Sequence, residues 1–265
     1  MIFVLIDLLL LLVWSTQYRW WGRTIDYKHP RILMYHMVSG HRRGAKFNKL
    51  RVAPAQFERQ VAYLAENDWT FAHVSELKNA LPDKTVVLTF DDGYRDNLEY
   101  AHPILARYNA KATLYLVEDR FDRDWSTAKK AHHDSGELMQ EPKLSDAEVE
   151  TMLASGVWEL GAHTLTHANL PATEPQLRAE EVIQGRTVLQ QKFNQSIPSF
   201  AYPFGIYDTE DVRLAEQAGY DFAVTTKEGI DPLPYASPLE LKRIKVSGKE
   251  GLWSFKLRLR TGRRK

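Results

Sequence analysis

Short apolar runs typical of buried strands alternate with amphipathic helical patterns over about 220 residues of this chain. The helical patterns include a capping box formed by Ser145 and Glu148 and two longer stretches at 174–193 and 209–218. Strands separated in this way by helices are typical of an α/β fold with a parallel sheet, either doubly wound or closed into a barrel. No Pro- or Ser-rich linker interrupts the pattern, so we expect one domain. The apolar runs are 32–38, 86–90, 112–117, 157–160, 197–202, 221–225 and 241–246.

The composition is that of an ordinary globular protein. Of 265 residues, 44% are hydrophobic and 26% are charged, which suits a domain with a proper core and excludes disordered or collagen-like classes. The chain has no cysteine, so thiolate metal ligands, a cysteine nucleophile and disulfides are excluded. Basic residues are concentrated in 242–265, which leaves the preceding part acidic. We therefore expect no nucleic-acid partner.

A hydrophobic segment opens the chain at residues 2–14, where Asp7 is the single charged residue. As a helix it would be about 20 Å long, against about 30 Å for the hydrocarbon core of a bilayer. The favourable insertion free energy of its apolar residues outweighs the cost of placing Asp7 in the membrane. The segment therefore has a modest net preference for the membrane. We predict a membrane-anchor or interfacial segment over residues 1–27; a helix packed on the domain is the alternative. Basic residues that follow the segment, with none before it, favour the cytoplasmic face of the inner membrane.

The last residues, 251–265, form a basic segment in which apolar and polar side chains alternate. We predict an amphipathic tail at the membrane interface beside the N-terminal segment; a solvated end is the alternative. Both ends would then hold the functional site near the bilayer, and the main domain would occupy residues 28–250. The alternating apolar residues are Trp253, Phe255, Leu257 and Leu259.

Polar side chains with metal-binding chemistry follow two of the predicted strands. Asp91 and Asp92 come directly after the run 86–90, and His163 and His167 come shortly after the run 157–160. Functional residues of parallel α/β folds lie at the carboxyl ends of strands, so we expect these four to meet. Two histidines four residues apart can bind one ion if a helical turn begins there. With one aspartate they would form a two-His, one-carboxylate site; a solvated turn and a surface histidine pair are the alternatives.

Three motifs, in this order, resemble those of the polysaccharide deacetylases with a NodB homology domain, also called carbohydrate esterase family 4. They are TFDDG (89–93), GAHTLTH (161–167) and YPFG (202–205). The resemblance covers roughly residues 30–247, and ILMYHMV, GYDFAVTT and LKRIKV are similar to the subgroup that deacetylates poly-N-acetylglucosamine. It implies a distorted (β/α) barrel of about seven units and removal of acetyl from an N-acetylated amino sugar.

The resemblance also implies roles for individual residues. It makes Asp92, His163 and His167 the ligands of one divalent metal ion, and Asp91 the general base. Zn²⁺ is the first expectation, and Co²⁺, Mn²⁺, Ni²⁺ or Fe²⁺ tolerate the same ligands. The remaining implied residues surround the acetyl group: the backbone N–H of Phe204 would bind the oxyanion, and Tyr202 and Pro203 would form the pocket wall.

The chain departs from the family pattern at two places. Ala201 stands where many members have an arginine that orients the base, and Arg243 lies where they have the histidine that protonates the leaving amine. We take His36 as the candidate acid, with a structural role as the alternative. Arg243 is the candidate for orienting Asp91. Trp125, at the start of a polar insertion, is the candidate for stacking on a sugar ring.

The sequence thus predicts a metal-dependent N-deacetylase. Its substrate would be an N-acetylated amino sugar in a polysaccharide or in a lipid-linked glycan, including one of lipopolysaccharide type. The partners expected are this glycan or glycolipid and a membrane surface contacted by both ends of the chain. A membrane-anchored saccharide-binding module with decayed catalysis is the alternative. An iron oxygenase would use similar ligands but does not explain the second aspartate.

Overall fold

A computed structural model describes residues 6–7, 11–13, 15, 20–125 and 135–263 of the chain. Parallel strands and the helices that connect them make up most of this part. The strands are β1 (Arg31–Tyr35), β2 (Thr70–Ala72), β3 (Thr85–Asp91), β4 (Ala112–Leu116), β5 (Trp158–Ala162), β6 (Ser199–Ala201), β7 (Phe222–Glu228) and β8 (Leu241–Lys245). The helices are α1 (Pro54–Glu66), α2 (His102–Arg107), α3 (Asp146–Ala154), α4 (Pro175–Phe193), α5 (Thr209–Gln217) and α6 (Leu252–Thr261).

Seven of the strands close a barrel. Their order is β1, β8, β7, β6, β5, β4 and β3, and β3 pairs again with β1. β2 pairs with the first three residues of β3 and β4 pairs with the last four, so β2 lies outside the ring. The predicted α/β class and the distorted barrel of about seven units are confirmed.

Buried aromatic side chains fix α1 against the two strands that close the barrel. The ring of Tyr35 on β1 stacks on that of Phe90 on β3, with centroids 5.2 Å apart. Phe57 of α1 meets both rings edge-on, at 5.3 and 5.7 Å. Each such pair contributes about 0.5–1.5 kcal/mol beyond its area burial. This packing fixes the end of β3, where the two aspartates of the DDG motif follow Phe90.

The C-terminal residues belong to the barrel domain. Phe255, Leu257 and Leu259 of α6 are buried against it, and Trp253 remains exposed. The structure therefore places residues 252–261 inside the domain, in contrast to the predicted boundary at residue 250. The physical reason is that a helix buries these residues beside α1, where Lys256 Nζ lies 4.2 Å from the centre of the Tyr63 ring, a placement that the alternation in sequence does not show. Arg264 and Lys265 lie outside the described residues.

Arg31 joins the two ends of the described chain. It begins β1, at the face of the barrel formed by the amino ends of the strands, which we call the amino-terminal pole. Its guanidinium donates hydrogen bonds to the carbonyls of Ile25 (2.6 Å), Asp26 (2.7 Å) and Leu259 (3.0 Å). Burial lowers the pKa of Arg31 to about 10, so the side chain stays charged at neutral pH. A cation at the last turn of α6 also suits the helix dipole.

The N-terminal segment joins the barrel at the same pole. The N–H of Ile25 donates to the carbonyl of Arg260 (2.8 Å), and the Arg260 guanidinium reaches Thr24 Oγ1 (3.2 Å) and the carbonyl of Trp20 (3.4 Å). The site predicted at the ends of β3 and β5 lies at the opposite, carboxyl-terminal pole. This geometry does not favour the expectation that both ends hold the site near a bilayer.

Part of the predicted N-terminal segment, residues 1–5, 8–10, 14 and 16–19, lies outside the described residues, as does 126–134 of the polar insertion. Among the residues that the structure describes, no helix has both the length and the hydropathy needed to cross a membrane.

Candidate active site

Three potential metal ligands meet at the carboxyl-terminal pole. Asp92 directly follows β3, and His163 and His167 follow β5. Asp92 Oδ1 lies 3.4 Å from His163 Nε2 and 3.3 Å from His167 Nε2. One ligand atom from each residue lies within 4.8 Å of the others, and all three side chains are buried. The structure thus brings together the Asp-His-His set that the sequence predicts.

The spacing of these atoms fits a single ion. Ligands bound tetrahedrally at about 2.0–2.1 Å lie about 3.3–3.4 Å from one another. Both distances from Asp92 match this value. His163 Nδ1 hydrogen-bonds the carbonyl of Ala201 at 2.7 Å, which sets the ring with Nε2 toward Asp92. The donor set and its support are therefore suited to a divalent metal.

Left-handed backbone conformations turn the side chains into one space. The φ angles are 79° at Asp92, 68° at Thr164 and 60° at His167, values that non-glycine residues seldom adopt. Thr164 Oγ1 accepts the N–H of His167 at 2.9 Å and stabilises the second turn. At Gly93, where φ is 75°, a Cβ would lie 2.5 Å from Leu116. These turns explain how the adjacent residues Asp91 and Asp92 both reach the site.

Asp91 has a different partner from Asp92. Arg243 of β8 binds it in a fork, with Nη1 to Oδ1 at 2.7 Å and Nη2 to Oδ2 at 2.8 Å. Both side chains are buried. Arg243 is itself held by the Thr225 carbonyl (2.9 Å) and Thr89 Oγ1 (3.0 Å). The contact predicted between Arg243 and Asp91 is present, in the bidentate geometry that gives the strongest orientation of a carboxylate.

The electrostatics keep both carboxylates ionised. Burial raises the pKa of Asp91, but the charge and hydrogen bonds of Arg243, helped by His36 and His163, bring it below its ordinary value. For Asp92, hydrogen bonds from the two histidines overcome burial and carry the pKa well below its ordinary value. Burial lowers the pKa of the His167 imidazole, which favours its neutral form. An ionised Asp92 and a neutral His167 are the protonation states that metal ligands require.

A cavity of about 520 Å³ opens at this pole and is lined by His36, Tyr202 and Phe204 together with the Asp-His-His set. Phe204 has a left-handed φ of 59°, and its ring meets that of His167 edge-on at 4.4 Å. The Tyr202 hydroxyl donates to the carbonyl of Leu239 at 3.0 Å, and Pro203 is buried beside it. Tyr202 therefore acts as a fixed wall of the cavity.

Trp125 is the candidate for stacking on a sugar ring, and that role stays a prediction. The side chain is only 3% exposed, and its ring lies 4.9 Å from that of His167. The ammonium of Lys143 lies 4.9 Å from the centre of the same ring. Trp125 lines the cavity, but its ring is packed against protein, so it shields His167 from water.

Sequence reasoning missed two residues that pack behind Trp125, Tyr94 and Lys143. The Lys143 ammonium lies 4.7 Å from the centre of the Tyr94 ring and donates to the carbonyls of Leu138 and Glu141. Burial lowers the pKa of Lys143 to about 8. Burial and the nearby Asp92 charge raise the pKa of Tyr94 well above its ordinary value. Tyr94 directly follows the DDG motif, a signal that could have identified it.

Sequence reasoning also missed four charged residues that line one side of the cavity. Arg258 of α6 pairs with Glu250 (2.6 Å) and Glu228 (3.3 Å), and Lys245 lies at the end of β8. All four residues line the cavity. Arg258 is absent from the prediction because residues 251–265 were interpreted as a separate tail, outside the domain.

The fold and the site define a class: parallel-barrel enzymes with an Asp-His-His cluster and a second, arginine-held aspartate at the carboxyl-terminal pole. Residues 78–223 match the family model described as Polysaccharide deacetylase. The chain belongs to this family, whose members are hydrolases that act on amide bonds.

Individual relatives agree with the family assignment. The Bacillus subtilis protein YxkH, assigned by name to the polysaccharide deacetylases, is 30% identical over 86% of this chain and 75% of its own length. A Staphylococcus aureus poly-beta-1,6-N-acetyl-D-glucosamine N-deacetylase is 24% identical over 67% of this chain and 61% of its own. The crystal structure of BC0361, a polysaccharide deacetylase from Bacillus cereus, is 26% identical, with a TM-score of 0.74 over 88% of this chain and 69% of that one.

Proposed function

We propose that the protein is a metal-dependent N-deacetylase that hydrolyses the acetamide of an N-acetylated amino sugar and releases acetate. The observation that supports this most directly is the different environment of two adjacent aspartates. Asp92 faces both histidines, whereas Arg243 holds Asp91 by both of its oxygens. A carboxylate that is ionised, buried and outside the ligand set is suited to act as a base.

Asp92, His163 and His167 would hold the divalent ion through Oδ1 and the two Nε2 atoms. When bound, such an ion polarises an amide carbonyl and makes a water molecule more acidic; Zn²⁺ suits the ligands, and Co²⁺, Mn²⁺, Ni²⁺ and Fe²⁺ are compatible. Asp91 accepts a proton from the attacking water. Arg243 keeps the Asp91 carboxylate ionised and fixes its direction, because a guanidinium fork restrains both oxygens.

The other side of the cavity acts on the acetyl group and the amine. We assign the Phe204 backbone N–H to the developing oxyanion, and Tyr202 and Pro203 to the wall of the acetyl pocket. His36, which lines the cavity after β1, is assigned proton donation to the leaving amine. The rings of Trp125 and Phe204 beside His167 exclude water from one side of the ligand set.

For the substrate we propose a polymer of N-acetylglucosamine. The staphylococcal relative is named for a β-1,6-linked polymer of this sugar, which supports the choice. A lipid-linked glycan, including one of lipopolysaccharide type, is the second candidate, favoured by the exposed apolar residues of the N-terminal segment. We also propose that this segment attaches the protein to the cytoplasmic membrane.

The proposal is tested by measuring acetate. The chain is stripped of metal, reconstituted with Zn²⁺, and incubated with poly-N-acetylglucosamine, chitooligomers, peptidoglycan or a lipid-linked amino sugar, with and without chelator. We expect release of acetate from a polymer of N-acetylglucosamine. Chelator should abolish this release, and added metal should restore it. Asp91→Asn should bind metal but release about 10²–10⁴-fold less acetate, while Asp83→Asn, an exposed aspartate at the other pole, should match the wild type.

Failure of the reconstituted wild type to release acetate from every one of these glycans would overturn the proposal. In that case, glycan binding without turnover would support the alternative, a saccharide-binding module.

A further inference from the structure

The described part of the N-terminal segment exposes a concentration of large apolar side chains. Residues 6–7, 11–13 and 15 are helical. Six large apolar residues of this segment are each 47–62% exposed, half of the exposed large hydrophobic residues of the described chain. A group of this kind on a soluble surface marks a contact with a membrane or a protein. The six are Ile6, Leu11, Leu12, Val13, Trp20 and Trp21.

The stretch from Trp20 to β1 is hydrogen-bonded to the barrel at several points. Arg260 holds the carbonyls of Trp20 and Gly22, both at 3.4 Å, and Arg31 holds the carbonyl of Ile25 at 2.6 Å. The N–H of Lys84, just before β3, donates to the carbonyl of Tyr27 at 2.9 Å. These bonds hold the stretch from Trp20 to β1 on the amino-terminal pole, and Trp20 Nε1 also donates to Ser15 Oγ at 2.6 Å.

The charges of this surface favour an anionic lipid surface as the partner. Arg23, Lys28 and Arg263 are exposed in this part of the molecule, as are Asp7, Asp26 and Asp83. Lys28 pairs with Asp26 at 3.6 Å. The sequence of the two terminal segments also contains Arg19, Arg264 and Lys265, which brings the cations to six against three acids. Indole rings followed by cationic side chains are typical of the headgroup region of a bilayer.

From this arrangement we propose that the amino-terminal pole rests on an anionic bilayer, so that the cavity opens away from the membrane. β3 has seven residues, so the two poles are separated by roughly 20 Å. The mouth of the site then faces glycan that stands clear of the lipid headgroups. The part of the inference that concerns substrate rests on the proposed deacetylase function. With the cavity facing away from the membrane, the expected substrate is an extended polymer and not an amino sugar linked directly to lipid.

The lipid contact is tested with vesicles. The full chain is mixed with phosphatidylcholine vesicles with and without phosphatidylglycerol, and the bound fraction is measured by sedimentation. We expect binding that increases with phosphatidylglycerol and falls at least tenfold in the variant L11S/L12S/V13S. Leu177→Ser, an equally exposed leucine of α4, is the matched control and should bind as the wild type. Equal binding of the triple variant and the control would overturn the proposed contact.

The orientation is tested by energy transfer from single labelled cysteines, which the cysteine-free chain makes simple. Asp83→Cys marks the amino-terminal pole, and Arg43→Cys marks the loop beside the cavity mouth; both positions are exposed. With an acceptor on the lipid headgroups, we expect greater transfer from position 83 than from position 43. Equal transfer, or greater transfer from position 43, would overturn the proposed orientation.

Acetate release separates this inference from the proposed function. With vesicle-bound protein, we expect at least tenfold more acetate from soluble poly-N-acetylglucosamine than from a lipid-linked monosaccharide in the same vesicles. The reverse preference would overturn the inferred substrate class. Absence of acetate from both would reject the deacetylase function, while the energy-transfer ranking would still decide the orientation.

Discussion

At the scale of single residues, the arginine that orients Asp91 comes from a different strand than the one on which the family pattern has it. Position 201, where the family pattern has an arginine, is alanine, and its carbonyl binds His163. The guanidinium comes instead from Arg243 on β8. β3 and β8 both pair with β1, so Arg243 reaches Asp91 from the strand two places along the ring.

Replacing Arg243 by lysine should reduce kcat with little change in KM. An ammonium keeps the charge but cannot hold both Asp91 oxygens in a fork, so the base loses its orientation. Removing such a charge-assisted contact costs about 1.5–3 kcal/mol, or about 10–100-fold in rate. The measurement is steady-state acetate release. Arg178→Lys, which replaces a second arginine fork that binds Asp208 and Asp211 outside the cavity, is the control. A kcat that stays the same in Arg243→Lys would contradict the role.

Asp96 should make stability depend on pH. Burial raises its pKa to about 6, so the folded state disfavours the ionised carboxylate relative to the unfolded chain. The free energy of unfolding should therefore fall as the pH rises from about 4 to about 6. In Asp96→Asn the free energy of unfolding should not show this contribution to the decrease with pH. The variant should therefore be more stable than the wild type at pH 7, by about 1–2 kcal/mol. Urea titrations at pH 4, 5, 6 and 7 check this; parallel curves for both proteins would contradict it.

At the scale of elements, the sequence identified most of the barrel. The apolar runs that it assigns to strands correspond to seven of the eight strands, and the capping box places the start of α3 at Ser145, whose Oγ accepts the N–H of Glu148. β2 was missed because its three residues, one of them exposed, are too few to give a hydrophobic period. Local patterns thus predict long elements well and short edge strands poorly.

The misread element is α6, and the reason is physical. Apolar residues at alternate positions give an apolar edge if the segment is extended and a mixed surface if it is helical, so the pattern left both conformations open. Phe255 and Leu259, four positions apart, share a helical face. What selects the helix is tertiary: buried positions in the main core beside α1, and Arg31 at its last turn. None of these partners is near it in sequence, so no local pattern reveals them.

Because α6 completes the core, Leu259→Ala should destabilise the protein by about 2–5 kcal/mol. Trp253→Ala, on the same helix but 55% exposed, should change the free energy of unfolding by less than about 1 kcal/mol. Urea denaturation of the two variants provides the comparison. Similar small effects of both changes would show that residues 252–261 are not part of the folding unit.

At the scale of the whole molecule, the predicted ligand set was found because it depends on topology. Parallel strands of a closed barrel all end at one pole, so residues after β3 and β5 meet despite a separation of about 70 positions. Lys143, which packs behind Trp125, and Arg258, which lines the cavity, were beyond prediction. They come from the segment after the polar insertion and from a helix that follows the last strand, for which strand order gives no guidance.

Metal binding should stabilise the whole barrel. The ligands come from β3 and β5, which flank β4, so a bound ion links two strand ends across a third. At about 100 times its dissociation constant, a ligand adds about 2.7 kcal/mol, equivalent to about 5–10 °C in Tm for a chain of this size. We expect Zn²⁺ to raise the Tm of the wild type and chelator to reverse it. His163→Ala should show no response; an equal rise in this variant would indicate metal bound elsewhere.

The hydrogen bond between Ile25 and Arg260 has a practical consequence for engineering. Two segments that are 235 positions apart lie one backbone contact from each other, so a few residues would suffice to fuse them. A rearranged gene could then begin and end in an exposed loop elsewhere, with the substrate entrance untouched. Coupling such a protein to a solid support through the fused junction would leave the entrance pointing outward.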